Sequence, residues 1–160
     1  VINSFRTFIG TFQIHAAMTT VTGTTTILML EADADDRFLT SSVISEFPYQ
    51  LKLAFVNYGE ELFKFLEHCR ETGNAFPSLI LLSLTANTDD GLAILKLLKS
   101  NPFYKHIPVI MLTGVKQTAV IKECYALGAS SFIEKPASAY DTNRKIASFL
   151  KYWLETVELV

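Results

Sequence analysis

Three kinds of polar side chain follow closely on short apolar runs in this 160-residue chain. The carboxylates are Glu31 and Asp33, the hydroxyls are Ser83 and Thr113, and the ammonium group is that of Lys135. Carboxylates, hydroxyls and an ammonium group are the parts from which phosphate and metal sites are built. These residues form one site only if the fold brings the ends of their apolar runs together.

The order of the elements favours such a meeting. From residue 25 onward, short apolar runs alternate with segments of helical period, which predicts an α/β fold with a parallel sheet covered on both faces. The five predicted strands begin near Ile27, Leu51, Leu79, Val109 and Phe132. Ser83 and Thr113 are expected just after the third and fourth strands, and the third helix just after Gly91.

Ligands of an open parallel sheet collect beyond the carboxyl ends of its strands, where the strand order reverses. We therefore expect the polar residues to share one rim of the sheet. An alternative applies to the acidic run: Asp33, Asp35 or Asp36 caps the first helix by accepting hydrogen bonds from its free N–H groups. Capping is the favoured interpretation for Asp35 and Asp36.

Composition restricts the partners and the compartment. Fourteen basic against sixteen acidic residues give a net charge of −2, so there is no global electrostatic case for binding nucleic acid or an anionic membrane. Cys69 and Cys124 have neither metal-ligand nor redox spacing, which indicates two buried thiols and a cytoplasmic protein. Polar residues interrupt the first 23 positions, so neither a membrane span nor a secretory signal is predicted there. We expect residues 1–24 to be a leader or arm and residues 25–160 to be one domain that ends in a long helix.

The order ILMLEADADD, LILLSLTANTDDG, PVIMLTG and FIEKP resembles the receiver domain of two-component response regulators, over about residues 25–157. The resemblance implies a flavodoxin-like (βα)5 doubly wound fold with strand order 2-1-3-4-5. Within the family, SNPFYKHIPVIMLTG and IASFLKYWLETVEL are similar to the stand-alone receivers paired with bacterial phytochromes.

The resemblance also implies roles for individual residues. In receivers, an aspartate at the end of the third strand takes a phosphoryl group from a phosphohistidine of a partner kinase, with Mg²⁺ held by acidic residues after the first strand. Glu31 matches the first of those acidic residues, and Lys135 matches the lysine that contacts the phosphoryl group. Thr113 and Phe132 match the two switch positions, and Pro136 follows the lysine as in the family.

Two departures fall on the residues that this chemistry needs most. Ser83 occupies the phosphoacceptor position, and Ala32 replaces a Mg²⁺ ligand. A serine hydroxyl needs a general base, and no histidine is expected at the rim. Mg²⁺ is usually retained by one or two carboxylates together with phosphate oxygens, so Glu31 and Asp33 are expected to bind it weakly. We therefore expect no resident cofactor, and we expect Lys135 to pair with Glu31 or Asp33 instead.

The sequence thus favours an atypical receiver that is not an enzyme and acts by protein–protein interaction. Its expected partner is a sensor histidine kinase or another signalling protein, with no nucleic-acid or membrane partner. A phosphotransfer switch is the alternative, with Asp33, Asp89 or Asp90 as a displaced acceptor, or with Ser83 phosphorylated by another kinase.

Aromatic residues near the fourth and fifth helices suggest a docking patch or a homodimer interface. They are Tyr125, Phe132, Tyr152 and Trp153. Core packing is the favoured interpretation for Phe132 and for one face of the last helix.

Overall fold

Strands and helices alternate regularly along the chain. The computed structural model describes residues 25–84, 88–114, 117–135 and 138–159, except for the side chains of residues 88, 89, 139, 140 and 142. The strands are β1 (Thr25–Leu30), β2 (Leu51–Val56), β3 (Leu79–Leu84), β4 (Val109–Thr113) and β5 (Ser131–Glu134). The helices are α1 (Ala34–Ser45), α2 (Gly59–Thr72), α3 (Thr88–Ser100), α4 (Thr118–Ala126) and α5 (Ala139–Glu155).

The five strands form one parallel sheet in the order β2-β1-β3-β4-β5. This order confirms the predicted flavodoxin-like (βα)5 fold. The strand order reverses between β1 and β3, which pair in parallel with Ile27 opposite Leu79. The crevice beyond the carboxyl ends of these two strands is therefore the expected ligand position.

Helices cover both faces of the sheet, which explains why the strands are apolar almost throughout. Every residue of β3 is buried, as a central strand with two covered faces requires. One face, with Leu28, Ile80 and Met111, packs against α2, α3 and α4. The other face, with Met29 and Leu81, packs against α1 and α5.

Three boundaries differ from the sequence prediction. Ser83 lies inside β3 and Thr113 is the last residue of β4, whereas both were expected after their strands. The prediction was wrong because a small hydroxyl can be buried within a strand. Helix α3 begins at Thr88, so Gly91 lies within it. A Cβ at Gly91 would lie 1.9 Å from Cδ2 of Leu84, so the glycine permits close packing of α3 on β3.

Burial separates the aromatic residues into two groups. Phe132 packs against the core and Trp153 is buried within it, so the core-packing prediction is confirmed for both. Tyr125 on α4 and Tyr152 on α5 are 51% and 55% exposed, respectively. These two tyrosines are therefore surface aromatics of α4 and α5.

The two cysteines and the helix lengths bear on other predictions. Cys69 on α2 and Cys124 on α4 are buried free thiols, as predicted. No helix in the described ranges is both long enough and apolar enough to cross a membrane.

Candidate functional site

Lys135 joins two acidic residues at the rim of the sheet. It follows β5 directly, and its Nζ donates to Oε2 of Glu31 at 2.5 Å and to Oδ2 of Asp36 at 2.6 Å. The Glu31 side chain is 3% exposed, while that of Lys135 is 27% exposed and that of Asp36 is 41% exposed. The ammonium group is thus held between one buried and one partly exposed carboxylate.

Contacts around the Glu31 carboxylate stabilise its charge. Burial raises its pKa, but the hydrogen bonds from Lys135 and from the backbone N–H of Asp33 lower the pKa by more. The net pKa of Glu31 is therefore below its ordinary value. Burial likewise lowers the pKa of Lys135, while hydrogen bonds to Asp36 and Glu31 raise it by more. Glu31 is therefore an anion and Lys135 a cation at neutral pH.

Asp33 caps the N-terminus of helix α1 and does not pair with Lys135. Its Oδ1 accepts hydrogen bonds from the backbone N–H groups of Asp35, at 2.9 Å, and Asp36, at 3.0 Å, so Asp33 is the N-cap residue. Of the three aspartates considered for the cap, Asp33 takes it, so the preferred capping by Asp35 or Asp36 was wrong. The expected pairing of Lys135 with Glu31 or Asp33 is confirmed for Glu31. Side chains of a helix lean toward its N-terminus, which directs Asp36 back to the rim and explains its pairing with Lys135.

Ser83 contributes a buried hydroxyl beside this ion pair. The residue is 4% exposed, and its Oγ has no hydrogen-bond partner among the described residues. The hydroxyl nevertheless lies close enough to Glu31 to help lower the pKa of that carboxyl, although the two groups do not meet hydrogen-bond geometry. Ser83, Glu31 and Lys135 therefore meet at one rim, as the sequence predicted.

Thr113 lies beside the same rim and is connected to it through the backbone. It is 1% exposed, and its carbonyl oxygen accepts a 2.6 Å hydrogen bond from the N–H of Lys135. This bond extends the pairing of β4 with β5 by one residue. It fixes the point at which the Lys135 side chain leaves the sheet.

The remaining predicted residues contribute less to the rim as it is described. Ala32 is exposed and offers no side-chain oxygen, while Asp90 is an exposed residue of α3. Pro136 and the side chain of Asp89 lie outside the described residues. Within the described ranges, no three His, Cys, Asp or Glu side chains are grouped so as to hold a metal ion.

Sequence reasoning missed Arg37, which holds the backbone of Glu31 in place. Its Nε donates to the carbonyl oxygen of Glu31, and Nη2 donates to Oδ1 of Asn57 at 2.8 Å. The guanidinium group also lies over the ring of Phe55, 5.4 Å from its centroid. Arg37 thus connects the loops after β1 and β2. The sequence signal was faint, since Arg37 is one basic residue after an acidic run.

The strand order β2-β1-β3-β4-β5, with Glu31, Thr113 and Lys135 at or just beyond the carboxyl ends of the strands, agrees with a receiver-type signalling domain. The family model of the response regulator receiver domain matches residues 18–147. The chain belongs to this family. It therefore contains a receiver domain of a two-component signalling system.

Individual relatives agree with this assignment. The response regulator Rcp1 of Synechocystis sp. is 30% identical over 134 residues, which cover 83% of this chain and 91% of that protein. The crystal structure of the Mn²⁺-bound form of Rcp1 has a TM-score of 0.77 at 28% identity and covers 85% of this chain and 99% of that one. The phosphorylated cyanobacterial phytochrome response regulator RcpA also gives a TM-score of 0.77 at 28% identity, covering 86% of this chain and 99% of that one.

Proposed function

We propose that this chain is an atypical receiver that docks a sensor histidine kinase or another signalling protein without being phosphorylated at residue 83. The observation that carries the proposal is the ion pair at the rim, where Lys135 is held by Glu31 and Asp36 beside the buried hydroxyl of Ser83. In this view, the phosphate-binding charges of a receiver are already satisfied within the chain.

The reactivity of Ser83 supports this proposal. A serine hydroxyl becomes a nucleophile only when a base removes its proton. The carboxylate that interacts with Ser83 is Glu31, whose pKa is lowered and whose charge is engaged by Lys135. Such a carboxylate is a poor base, so Ser83 is not activated.

The metal-binding capacity of the rim is also low. Mg²⁺ requires near-ideal octahedral oxygen ligands and gives up water reluctantly. Ala32 supplies no side-chain oxygen, Asp33 accepts the hydrogen bonds of its cap, and Glu31 and Asp36 hold an ammonium group. The Rcp1 structure is a Mn²⁺-bound form, whereas in this chain a divalent ion would have to compete with Lys135 for both carboxylates. We propose that the protein has no resident cofactor and binds Mg²⁺ only weakly.

The partner would then act in trans on a receiver of fixed conformation. Thr113 and Phe132 keep the residue types of the switch positions, and Tyr125 and Tyr152 present exposed rings on α4 and α5. RcpA is a phytochrome response regulator, which supports a light-sensing histidine kinase as one class of partner. Within this proposal residues 1–24 are an arm, residues 25–160 are the receiver-like domain, and the protein acts in the cytoplasm without binding nucleic acid. A homodimer through the exposed tyrosines is the alternative use of that surface.

The alternative of a displaced phosphoacceptor is less well supported. Asp33 already accepts two helix N–H groups, which lowers its availability as a nucleophile. Ser83 is 4% exposed, so another kinase would have to open the domain to reach it. Asp89 and Asp90 remain the acceptors by which this alternative would operate.

Treatment with acetyl phosphate and Mg²⁺, followed by intact-mass measurement, tests the proposal. We expect no added phosphoryl group on the unchanged chain and no change in Trp153 fluorescence with beryllofluoride. The double variant Ala32→Asp/Ser83→Asp restores the missing carboxylates and is expected to gain a phosphoryl group that hydroxylamine removes. A hydroxylamine-sensitive adduct on the unchanged chain would overturn the proposal, and peptide mapping would then locate the displaced acceptor.

A further inference from the structure

A cavity lies behind the polar rim, between the sheet and helices α1 and α5. It has a volume of about 100 Å³. Its floor consists of Met29, Leu81, Leu112 and Ile133, which come from four adjacent strands. All four side chains lie on the sheet face that packs against α1 and α5. The cavity therefore adjoins the rim, and Asp36 and Lys135 line both.

The walls of this cavity are also mostly apolar. Leu39 and Ile44 of α1 face Ile146 and Phe149 of α5 across it. An engineered enclosed apolar cavity of roughly 150 Å³ binds benzene, so this smaller space, which opens to solvent, suits a short alkyl chain or part of a small ring. The absence of polar partners on most of the walls disfavours a stable water cluster.

Three charged residues also line the cavity. Asp36 and Lys135 lie there and are paired with each other. Lys145 lies there as well, is exposed, and donates from Nζ to the carbonyl oxygen of Glu134 at 2.8 Å. That bond leaves the ammonium group with donors to spare, because an ammonium group has three. An anionic group beside Lys145 would meet this positive charge.

We propose that the cavity binds a small carboxylic acid with an apolar body, which fills the space between the sheet and the two helices while its carboxylate contacts Lys145. The ligand is of the size of benzoate or hexanoate. This site goes beyond the proposed interaction function: it adjoins the ion pair at Asp36 and Lys135, but its carboxylate contact is Lys145 and its body lies among apolar side chains.

Titration of the full chain with benzoate and hexanoate tests the site, with benzyl alcohol and hexanol as uncharged comparisons. Binding is followed by two-dimensional ¹H–¹⁵N NMR spectra and by the rise in Tm that a ligand of the folded state produces. We expect the largest chemical-shift changes in the NMR spectra at the residues that line the cavity. Lys145→Gln should weaken carboxylate binding about three- to fivefold, the range of a partly exposed charge contact, and leave the alcohols unchanged.

Filling the cavity provides the second arm. Ile146→Phe occupies the space and should abolish binding, whereas Leu154→Phe, on the same helix but outside the cavity lining, should preserve it. Leu39→Phe serves the same purpose from α1 if the first variant does not fold. Binding of neither acid, equal loss in the Ile146 and Leu154 variants, or alcohols that bind as tightly as the acids would overturn the proposal.

Discussion

Two half-buried lysines show how partners decide the charge of a buried group. Lys135, at the carboxyl end of the sheet, donates to two carboxylates, and its pKa is raised. Lys99, at the end of α3, donates to the carbonyl oxygens of Ile107, at 2.6 Å, and Lys105, at 3.2 Å, and burial lowers its pKa. A carbonyl dipole holds an ammonium group, but it does not compensate its desolvation as a full negative charge does.

The comparison assigns the two lysines different roles. The ammonium group of Lys135 is required by the buried Glu31 beside it, so the rim forms one electrostatic unit. The hydrogen bond from Lys99 to the carbonyl oxygen of Ile107 connects the end of α3 to the segment between α3 and β4. The aliphatic part of the Lys99 side chain packs against Gly128. The first lysine therefore stabilises the buried acid of the rim, and the second stabilises local structure.

Removing the ammonium group at the rim should have the largest effect. Lys135→Met leaves the carboxylate of Glu31 buried without a cation, and we expect the free energy of unfolding to fall by about 2–4 kcal/mol. Urea denaturation at pH 7 measures this loss. Lys64→Met removes an exposed ion pair with Glu60 and is the control, with no measurable loss expected. Equal losses in the two variants would contradict the account of the rim.

A backbone change beside Lys99 should come next. Gly128 has φ of 96°, and a Cβ there would lie 3.3 Å from Cγ of Lys99. We expect Gly128→Ala to lower the free energy of unfolding by about 1–3 kcal/mol, because a residue with a Cβ is strained at this φ. Gly114→Ala is the control, since a Cβ at Gly114 has no atom within 4 Å. Thermal unfolding would reveal the difference, and a stable Gly128→Ala variant would show that the turn relaxes.

Replacing Lys99 itself should cost less than replacing Lys135. Lys99→Met keeps the apolar stem but removes the donor of the bond to the carbonyl oxygen of Ile107, for an expected loss of about 1 kcal/mol. The same urea denaturation experiment measures it. A loss as large as that of Lys135→Met would show that carbonyl partners stabilise a buried ammonium group as well as carboxylates do.

The smallest effects concern pH and have opposite signs for the two lysines. The raised pKa of Lys135 gives stability that is complete below its ordinary value of 10.5 and is lost as pH rises through the folded-state pKa. Burial of Lys99 destabilises its charged form and lowers its pKa, so this lysine reduces the stability of the fold at neutral pH. That loss of stability diminishes as pH rises toward 10.5. The difference in free energy of unfolding between each methionine variant and the unchanged chain, measured between pH 9 and 11, gives the contribution of each lysine. Tyrosine titration is common to all the chains and cancels in this difference. Shifts of the same sign would contradict the assignment of partners.

At low pH, we expect the titration of Glu31 to change the free energy of unfolding. Its pKa is lowered, so the stability it provides is present above its ordinary value of 4.5 and is lost as pH falls through the folded-state pKa. Glu31→Gln should therefore flatten the decline of stability below pH 4.5. Urea midpoints between pH 2 and 6 measure it, and an unchanged profile would show that Glu31 is not the group that titrates.

The fold was predictable because the signals for it repeat along the chain. Continuous apolar runs mark strands covered on both faces, and the helical stripes that follow them, such as the one through Leu150 and Trp153 on α5, supply the cover. The meeting of Glu31, Ser83 and Lys135 followed from the same logic, since parallel strands end at one rim.

The details of the rim were less predictable, because they depend on side-chain direction. Four aspartates or glutamates follow β1 within six residues, and composition does not say which one caps α1. The cap falls to Asp33, and Asp36 returns to the rim one turn later. Arg37 could not be assigned at all, because its partners lie on two separate loops.

The central claim is that the ammonium group of Lys135 occupies the cation position of the rim, and Mg²⁺ titration followed by ¹H–¹⁵N NMR tests it most directly. We predict no saturable shift at Glu31 or Asp36 in the unchanged chain at millimolar Mg²⁺, and saturable binding in the Ala32→Asp/Ser83→Asp variant. Submillimolar Mg²⁺ binding at these residues in the unchanged chain would contradict the account.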